Sequence, residues 1–430
     1  MGAGLVITML GVVSPAVAEP EHRAVKNDDA EILTSLTLGG PPPELGHSVG
    51  RDQVLARRAG DDLPSVAAVA AQTGGVEPDV SSAAAADDYY SFTECAAKAS
   101  RETFYLRNRF ASCLSTDFYY NAYRCETSGS CSAVGYYTGR LLMIGEGSRK
   151  AQRTDWQARI VGWNKVGTVY PEMGLELVVS CPGLQGGSPC TREGGRWTGP
   201  VTRWIAQKPT IVGRLDAEGV PSVGSDGLHA AVDKLHYHAA RVKLIDTLGG
   251  SSMSWDQSFR CDSASYFSGD GQACLFHQVR PTLTYRTSDP AVAEVAKHIK
   301  QAQDRPESTN PFSGATGIKI PGAKASGKPL TRLSPRFQSA RYNRNNYLAR
   351  KACRAFDPSW GTAGLQCDEY PFRSTFEGAK YTEIYPSAQW KYSARMLTGT
   401  QNETAGQRLG QFFQRERVLH GDTFWVSISS

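Results

Sequence analysis

Ten cysteines in sequence-local pairs constrain this chain more than any other feature of its sequence. They are Cys95, Cys113, Cys125, Cys131, Cys181, Cys190, Cys261, Cys274, Cys353 and Cys367. The even count predicts disulfides, and the lack of a C-x-x-C pair argues against a zinc ribbon. Pairing of neighbours predicts the disulfides Cys181–Cys190, Cys261–Cys274 and Cys353–Cys367. For the first four cysteines the sequence leaves the pairing open.

The N-terminus has the pattern of a secretory leader. An apolar run from Ala3 to Val13 is followed by Ala16-Val17-Ala18, a small-x-small cleavage site. No Lys or Arg precedes the run, which departs from the usual pattern. The run is too short to span a bilayer as a permanent helix. We therefore expect residues 1–18 to be a signal peptide and the mature protein to be secreted, extracellular and free of the membrane.

The 430 residues exceed one ordinary domain. Residues 19–88 are poor in aromatic residues and contain GGPPPELG and SSAAAADD, so we expect a flexible segment or pro-segment that buries no core. Residues 89–280 carry β-branched and aromatic residues between Gly and Pro turns, which predicts a disulfide-braced β-rich domain of unknown role. Residues 281–430 form a second unit, and the fold class is α+β.

The second unit mixes helical and strand patterns. An apolar face predicts a helix after Pro290, formed around Val292, Val295, Ala296 and Ile299. The Gly- and Pro-rich residues 310–332 indicate a loop insertion. Further along, the patterns predict a basic helix in RFQSARYNRNNYLARKACRA, strands in LQCDEYPFRST and YTEIYPS, a helix in NETAGQRLGQFFQRER and a last strand in DTFWVSISS.

Positive charge is concentrated in this second unit. Residues 281–430 hold 21 Lys and Arg against 12 Asp and Glu, a balance of +9, whereas the rest of the chain holds 26 against 30, a balance of −4. Such asymmetry favours a polyanionic partner for the C-terminal half. A solvated basic surface is the alternative, and charge alone does not separate the two.

The same half contains the parts of a phosphodiesterase. Asp368 and Glu369 form an acid pair, and Asn402 opens the helix predicted in NETAGQRLGQFFQRER. Phosphodiester hydrolysis needs a base to deprotonate water, a cation at the phosphate and positive charge for the backbone. Asp, Glu and Asn supply the oxygen ligands that a hard divalent cation prefers. Many soluble domains contain such parts, so composition alone does not identify a nuclease.

Other motifs give weaker signals. The chain has neither a G-x-x-x-x-G-K-[ST] loop nor a G-x-S-x-G elbow, which leaves a P-loop site and serine hydrolysis without support. His236 and His238 lie on one face of a predicted strand, as metal ligands do, but no third ligand is near them in the sequence. His298 and His420 could approach the acid pair, and no catalytic role is assigned to either.

Three motifs in order carry a resemblance to a known family. CDEYPFRSTFEG, then NETAGQRLGQFF, then GDTFWVSIS resemble the NucA/NucB family of secreted bacterial deoxyribonucleases. That family shows an acidic D-E-aromatic-P step, an Asn-led G-x-x-x-G helix and a closing G-D-T-type strand. The upstream DPAVAEVAKHIKQAQ is similar to the family's early helix, which carries an A-K-H-I run. The resemblance spans about residues 285–430 and does not extend to residues 19–280.

The resemblance implies a ββα-metal finger in which an aspartate replaces the usual histidine base. Asp368 takes the family's Asp position as the general base, with a turn-capping carboxylate as the alternative. Glu369 is the second acid of the site, as a metal or outer-shell ligand or else in a surface salt bridge. Asn402 is the first metal ligand, unless it is an ordinary N-cap, and Gln411 stands where relatives have a second amide. The expected cofactor is a divalent metal, Mg²⁺ or Mn²⁺.

Further side chains in this unit offer contacts to DNA. Phosphate contacts are expected from Arg344, Arg350, Arg373 and Gln407. Tyr370 and Phe372 could stack on bases, although packing in the core is the stronger expectation. Gly406 and Gly410, four residues apart, are expected to let their helix approach a strand closely.

Two functions from different classes follow. The first is a secreted, metal-dependent endonuclease that hydrolyses DNA, with Asp368 as base and Asn402 as metal ligand. The second is a non-catalytic secreted binding protein, in which residues 89–280 bind a cell-wall glycan or a protein partner and the C-terminal unit is inactive. The intact Asp368, Glu369 and Asn402 favour the first.

Overall fold

A computed structural model describes residues 25–27, 30–55, 64–74, 76, 89–185, 187–190, 194–217, 235–267 and 271–430. The predicted signal peptide, residues 1–18, lies outside the described residues. The chain is a mixed α and β protein in which sheets predominate.

Two antiparallel sheets make up the β-rich part of the chain. The first has the order β1-β2-β5-β6-β7-β10, with β3 beside β6 and β4 beside β5, and the second has the order β13-β12-β11-β8-β9. Their strands are β1 (Val25–Asn27), β2 (Ala30–Leu38), β3 (Ser48–Gly50), β4 (Tyr105–Asn108), β5 (Ala111–Cys125), β6 (Ser130–Gly147), β7 (Arg153–Gly167), β8 (Gly174–Ser180), β9 (Arg196–Pro200), β10 (Ile211–Asp216), β11 (His236–Asp246), β12 (Ser252–Asp262) and β13 (Ala273–Leu275). The short helices here are α1 (Arg51–Leu55), α2 (Val66–Ala70), α3 (Phe92–Ala96) and α4 (Val201–Gln207).

The two sheets share one apolar core. Buried residues alternate with more exposed ones along β7, and they include Trp156 and Ile160. These side chains belong to the same cluster as Leu177 of β8 and Val242 of β11 in the other sheet. Alternation along each strand directs one row of side chains inward, so the β-rich, disulfide-braced character predicted from the sequence is confirmed.

The segment predicted to be flexible, residues 19–88, contains a core strand. Strand β2 pairs with β5 along its whole length, and its Ile32 and Leu33 are buried. Thr34 Oγ1 donates a hydrogen bond of 2.7 Å to the buried Asp246 Oδ2 of the second sheet. The prediction is therefore wrong for this strand. The Gly, Pro and Asp residues around it dominate the local composition and hide its short apolar pattern.

Five disulfides brace the chain. The three predicted bonds, Cys181–Cys190, Cys261–Cys274 and Cys353–Cys367, are all present. The four cysteines left open pair as Cys95–Cys113 and Cys125–Cys131. Five disulfides fit a secreted protein. Among the described residues, no helix combines the length and the apolar character needed to cross a membrane.

The C-terminal unit packs helices against two small sheets. Strand β18 lies between β14, which is parallel to it, and β15, and a separate antiparallel pair is formed by β16 and β17. The strands are β14 (Thr282–Arg286), β15 (Leu330–Thr331), β16 (Leu365–Tyr370), β17 (Ser393–Thr398) and β18 (Thr423–Ser429), and the α-helices are α5 (Ala293–Asp304), α6 (Ser339–Phe356), α7 (Tyr381–Ile384) and α8 (Gly399–Arg415). Two 3₁₀ turns cover Pro306–Ser308 and Lys324–Ser326.

Apolar faces of α5 and α8 build the core of this unit. Val295 and Ile299 of α5 are buried with Leu409 and Phe412 of α8 and with Phe424 of β18. These rows recur at three- and four-residue spacing, which is the period of an amphipathic helix. The helices predicted around Val292–Ile299, in the basic segment and in NETAGQRLGQFFQRER are thus confirmed, as are the first and last predicted strands.

Two predicted elements of this unit differ in the structure. YTEIYPS forms the helical turn α7 instead of a strand, and this turn brings the ring centroids of Tyr381 and Tyr385 to 4.7 Å from each other. The strand that pairs with β16 is β17, further along the chain. The predicted insertion 310–332 ends in β15, whose Leu330 is fully buried and pairs with β18, so its last residues belong to the core.

A buried ionic cluster joins the two parts of the chain. Asp422, 1% exposed, accepts hydrogen bonds from Arg260 Nη1 at 2.7 Å and from Arg109 Nη2 at 3.2 Å, and both arginines belong to the β-rich part. In return, Arg417 of the C-terminal unit donates to Asp262 Oδ1 at 2.6 Å. A charge is tolerated in an interior only when it is paired and hydrogen-bonded. The loop between α8 and β18 is therefore fixed to the β-rich sheets.

We expect Asp422→Ala to destabilise the protein by about 3–5 kcal/mol, because it leaves the buried guanidinium groups of Arg109 and Arg260 without their carboxylate. Urea unfolding of the purified protein measures this loss. The control is Asp304→Ala, which removes an exposed partner of Lys300 and should cost at most about 1 kcal/mol. Equal losses in the two variants would contradict the structural role of the cluster.

Candidate active site

A groove of about 1080 Å³ crosses the C-terminal unit. Helices α6 and α8 both contact β16, and side chains from all three elements line the groove. Six of the residues singled out in the sequence meet there: Asp368, Glu369, Asn402, Gln407, Arg350 and Arg373. A concave site lined by carboxylates, amides and cations is the arrangement expected of a binding or catalytic site.

A hydrogen bond from a buried histidine fixes the position of Asp368 in the groove. The side chain of Asp368 is only 9% exposed, and its Oδ2 lies 2.6 Å from Nδ1 of His298 on α5. Nε2 of His298 lies 2.7 Å from Oγ of the buried Ser393 on β17. Since an ionised carboxylate only accepts hydrogen bonds, Nδ1 of His298 donates to Asp368. One carboxylate oxygen is thus occupied by this chain, and Oδ1 is the oxygen left for the groove.

His298 is the residue whose importance the sequence did not reveal. It lies in the A-K-H-I run, but no motif gives it a role, and the sequence around Ser393 carries no functional signal. His298 is 1% exposed and lies 70 residues before Asp368. The other histidine, His420, is buried and does not line the groove, and its Nδ1 accepts a hydrogen bond of 3.1 Å from the backbone NH of Ser334.

Glu369 also lines the groove, although it neighbours Asp368 on a regularly paired strand. Its Oε1 accepts a hydrogen bond of 3.3 Å from the backbone NH of Arg373. Burial, together with the nearby Asp368 carboxylate, raises the pKa of Glu369 from 4.5 to about 8. Two carboxylates in one partly dehydrated groove repel each other, and a divalent cation would relieve this repulsion. The pair therefore fits a cation site.

Asn402 lies in the first turn of α8, with its side chain in the groove. The N-cap of this helix is Thr398, so the alternative of Asn402 as an N-cap is wrong. The Asn402 amide donates a hydrogen bond of 3.3 Å to Oε1 of Gln366 on β16, and Nε2 of Gln366 donates one of 2.5 Å to Glu403. Because the amide nitrogen is used in this way, the amide oxygen is the atom that could ligate a cation.

Contrary to the prediction from the sequence, Gly406 and Gly410 do not bring their helix into close contact with a strand. Both line the groove and are exposed, and a Cβ atom added to either would meet no atom within 4 Å. Together with Asn402 they lie at four-residue intervals on α8, so they share one face of the helix. That face leaves bare backbone along the groove.

The remaining predicted contacts divide into two groups. Arg350 and Arg373 are exposed in the groove, and Gln407 lines it from α8. Arg344 does not line it, because its guanidinium forms an ion pair with Glu383, with an Nε to Oε2 distance of 2.9 Å. Gln411 is exposed on α8 outside the groove-lining set, so the structure does not bring it to Asp368. In contrast to these polar side chains, the rings of Tyr370 and Phe372 are buried in the core, as predicted.

The histidine pair of the β-rich part has no free thiol beside it that could complete a metal site. His236 Nδ1 lies 3.2 Å from His238 Nε2, and ligand atoms of Cys181, Cys190 and Cys261 are close to one or both of these imidazoles. All three cysteines are in disulfides, and a thiolate is what a metal requires. Burial lowers the pKa of His238 to about 3, so these imidazoles are neutral packing groups.

The segment that forms the groove matches a known family. Residues 322–427 match the family model of deoxyribonuclease NucA/NucB. The match covers about a quarter of the chain, and no curated protein and no solved structure matches the chain. This NucA/NucB segment contains Asp368, Glu369 and Asn402, and it indicates a nuclease, that is, a hydrolase with DNA as its suggested substrate. It begins after α5, so His298 lies outside it, whereas the sequence resemblance extended back to residue 285.

We expect the metal-free protein to lose stability as the pH rises from 4.5 to about 8, the interval between the ordinary and the raised pKa of Glu369. In this interval the folded state binds the Glu369 proton and the unfolded state does not, so the free energy of unfolding falls with rising pH, by about 1.4 kcal/mol for each pH unit. Thermal unfolding in EDTA should show a smaller fall for Glu369→Gln.

Glu383→Gln is the control for this measurement. Arg344 lowers the pKa of Glu383, so removing the Glu383 carboxylate cannot reduce the loss of stability between pH 4.5 and 8. Adding Mg²⁺ should raise the stability of the wild type more at pH 8 than at pH 5, while Glu369→Gln gains less. An identical pH dependence in wild type and Glu369→Gln would contradict the coupling of Glu369 to the groove.

Proposed function

We propose that this protein is a secreted, divalent-metal-dependent endonuclease that hydrolyses DNA phosphodiester bonds. The observation that carries the proposal is Asp368, oriented by the buried His298 and facing a groove that also contains Glu369, Asn402 and two exposed arginines. The match of residues 322–427 to the deoxyribonuclease NucA/NucB family supports the same chemistry.

We also propose that β16, β17 and α8 form a ββα-metal finger. The two strands pair antiparallel, and α8 begins at the residue that follows β17. In this arrangement Asp368 is on the first strand and Asn402 on the first turn of the helix. The disulfide Cys353–Cys367 ties α6 to the strand one residue before Asp368, which supports a rigid position for the base.

Asp368 acts as the general base in this proposal. Because His298 occupies Oδ2, a water molecule in the groove donates its proton to Oδ1 and attacks the phosphorus. A base fixed in position lowers the entropic cost of reaching the reactive geometry. His298 does not touch the substrate and acts as a positioning residue, held in turn by Ser393.

Glu369 and Asn402 would hold the cation, with water completing its shell. The donor set is carboxylate and amide oxygen, which suits Mg²⁺ or Mn²⁺, and Mg²⁺ binds with as few as one or two protein carboxylates. When bound, such a cation neutralises charge on the phosphate and stabilises the leaving 3′-oxygen. Arg350, Arg373 and Gln407 contact the phosphates that flank the reacting one.

The alternative of a non-catalytic binding protein has less support. No observation on the β-rich sheets points to a cell-wall glycan or a protein partner, and in the described residues these sheets are fixed to the C-terminal unit by the cluster around Asp422. Their proposed role is therefore to hold the catalytic unit, and a separate binding activity is not needed to account for them.

We expect purified protein to nick supercoiled plasmid in the presence of Mg²⁺ or Mn²⁺ and to lose this activity in EDTA. Asp368→Ala should reduce the rate by a factor of about 10²–10⁴, the usual contribution of a general base. Glu383→Ala, an exposed carboxylate outside the groove, is the matched control and should keep the wild-type rate. Full nicking by Asp368→Ala, or nicking that survives EDTA, would overturn the proposal.

We expect His298→Leu to lower kcat by about 10–100-fold with little change in KM, because the base loses its orientation while the groove surface is untouched. His298→Asn should recover part of the rate, since its side-chain amide can donate from nearly the place of Nδ1. Steady-state kinetics on a short oligonucleotide separate the two parameters. A rise in KM without a fall in kcat would show that His298 acts on binding and does not position the base.

A further inference from the structure

Helix α6 lines the groove with a row of side chains of which the proposed function uses only Arg350. Tyr342, Asn346 and Arg350 line the groove, and their four-residue spacing places them on one face of the helix. The neighbouring face is packed into the protein through buried residues such as Asn345, Ala349, Ala352 and Cys353. The groove-facing row is therefore presented to a ligand by a rigid, disulfide-bonded helix.

Trp360, which follows α6, extends this row. All eight tryptophans of the chain lie in the described residues, and Trp360 alone is exposed, at 37%. It lines the groove, and the guanidinium of Arg350 lies 5.8 Å from its ring centroid. An exposed tryptophan beside a reactive groove gives up burial energy that the fold could use, and such a ring is typical of a binding surface.

A second pair of the same kind lies on the same wall. The guanidinium of Arg373 is 4.9 Å from the ring centroid of Tyr342, and both side chains line the groove. Cations that track a phosphate backbone, combined with aromatic rings on which bases stack, are the elements of single-strand recognition. In a duplex the base faces are covered by neighbouring bases, so a protein ring can stack only on a base that has left the helix.

We propose that Trp360, flanked by Arg350, is a stacking subsite for an unpaired nucleobase next to the phosphate at Asp368. The proposal rests on the function proposed above and narrows its substrate to single-stranded DNA or to unpaired stretches in a duplex.

Binding of oligonucleotides in EDTA tests the subsite without turnover. The probes are a short fluorescein-labelled oligothymidylate, the same strand with abasic residues at its central positions, and a blunt hairpin duplex, all followed by fluorescence anisotropy. For the wild type we expect the abasic strand to bind about tenfold more weakly than the intact strand, within the range for a stacked base. The duplex should bind more weakly than the intact single strand.

Three variants locate the effect. Trp360→Leu should bring the affinities for intact and abasic strands to within about twofold, because it keeps an apolar side chain but removes the stacking face. Trp360→Phe should keep most of the difference. Tyr347→Leu is the matched control: Tyr347 is 54% exposed on α6 beside Arg344, at 4.8 Å, but lies outside the groove-lining set, so its replacement should leave the wild-type ratio unchanged.

The outcomes separate the subsite from the function on which it rests. Equal wild-type affinities for intact and abasic strands overturn the subsite, even if Trp360→Leu were to misfold, because that comparison needs no variant. A full difference in folded Trp360→Leu also overturns it. Plasmid nicking without base-dependent binding rejects the subsite alone. Base-dependent binding lost in Trp360→Leu, without any plasmid nicking, supports the subsite and rejects the nuclease.

Discussion

The carboxylate of Asp422 is the point on which the two parts of this molecule depend. It lies between the guanidinium groups of Arg109 and Arg260 from the β-rich sheets and also accepts the backbone NH of Leu419 at 2.9 Å. A buried carboxylate bonded in this way has no alternative arrangement of similar energy, because moving it would leave several charges unpaired. Since its loop connects α8 to β18, this cluster ties the end of α8 and the start of β18 to the β-rich sheets.

The groove contains two acids in different surroundings, one fixed by hydrogen bonds and one whose charge has little compensation. Asp368 is bound from behind by His298, whose other ring nitrogen is in turn bound to Ser393. Glu369 has only one long backbone hydrogen bond, and its pKa is raised to about 8 by burial and by Asp368. Paired acids whose surroundings move their pKa values apart commonly have different roles. The fixed acid suits proton transfer, and the acid whose charge is poorly compensated suits a cation.

Features that depend on a local sequence pattern could be predicted, whereas contacts between residues far apart in the chain could not. The three disulfides between neighbours, the amphipathic helices and the presence of Asp368 and Asn402 in one groove could be predicted because spacing or motif order carries them. The contact of His298 with Asp368 spans 70 residues and depends on how α5 packs, so no local pattern contains it. The prediction that Arg344 contacts DNA fails for a related reason. The sequence of a helix identifies its basic residues, but only the fold brings Glu383 close enough to form an ion pair with Arg344. Strand β2 was lost because composition was averaged over a longer polar segment.

The glycines of α8 show that the groove is maintained at the expense of helix stability. Gly406 and Gly410 are in the interior of a helix, where each is less stable than alanine by roughly 0.5–1 kcal/mol. A Cβ atom at either position would meet nothing within 4 Å, so packing does not exclude alanine. The feature these positions share is the groove, which the row of Tyr342 and Arg350 also lines. Bare backbone together with rings and cations in one groove suits a nucleotide chain, whose sugars and phosphates need close approach while its bases need flat surfaces.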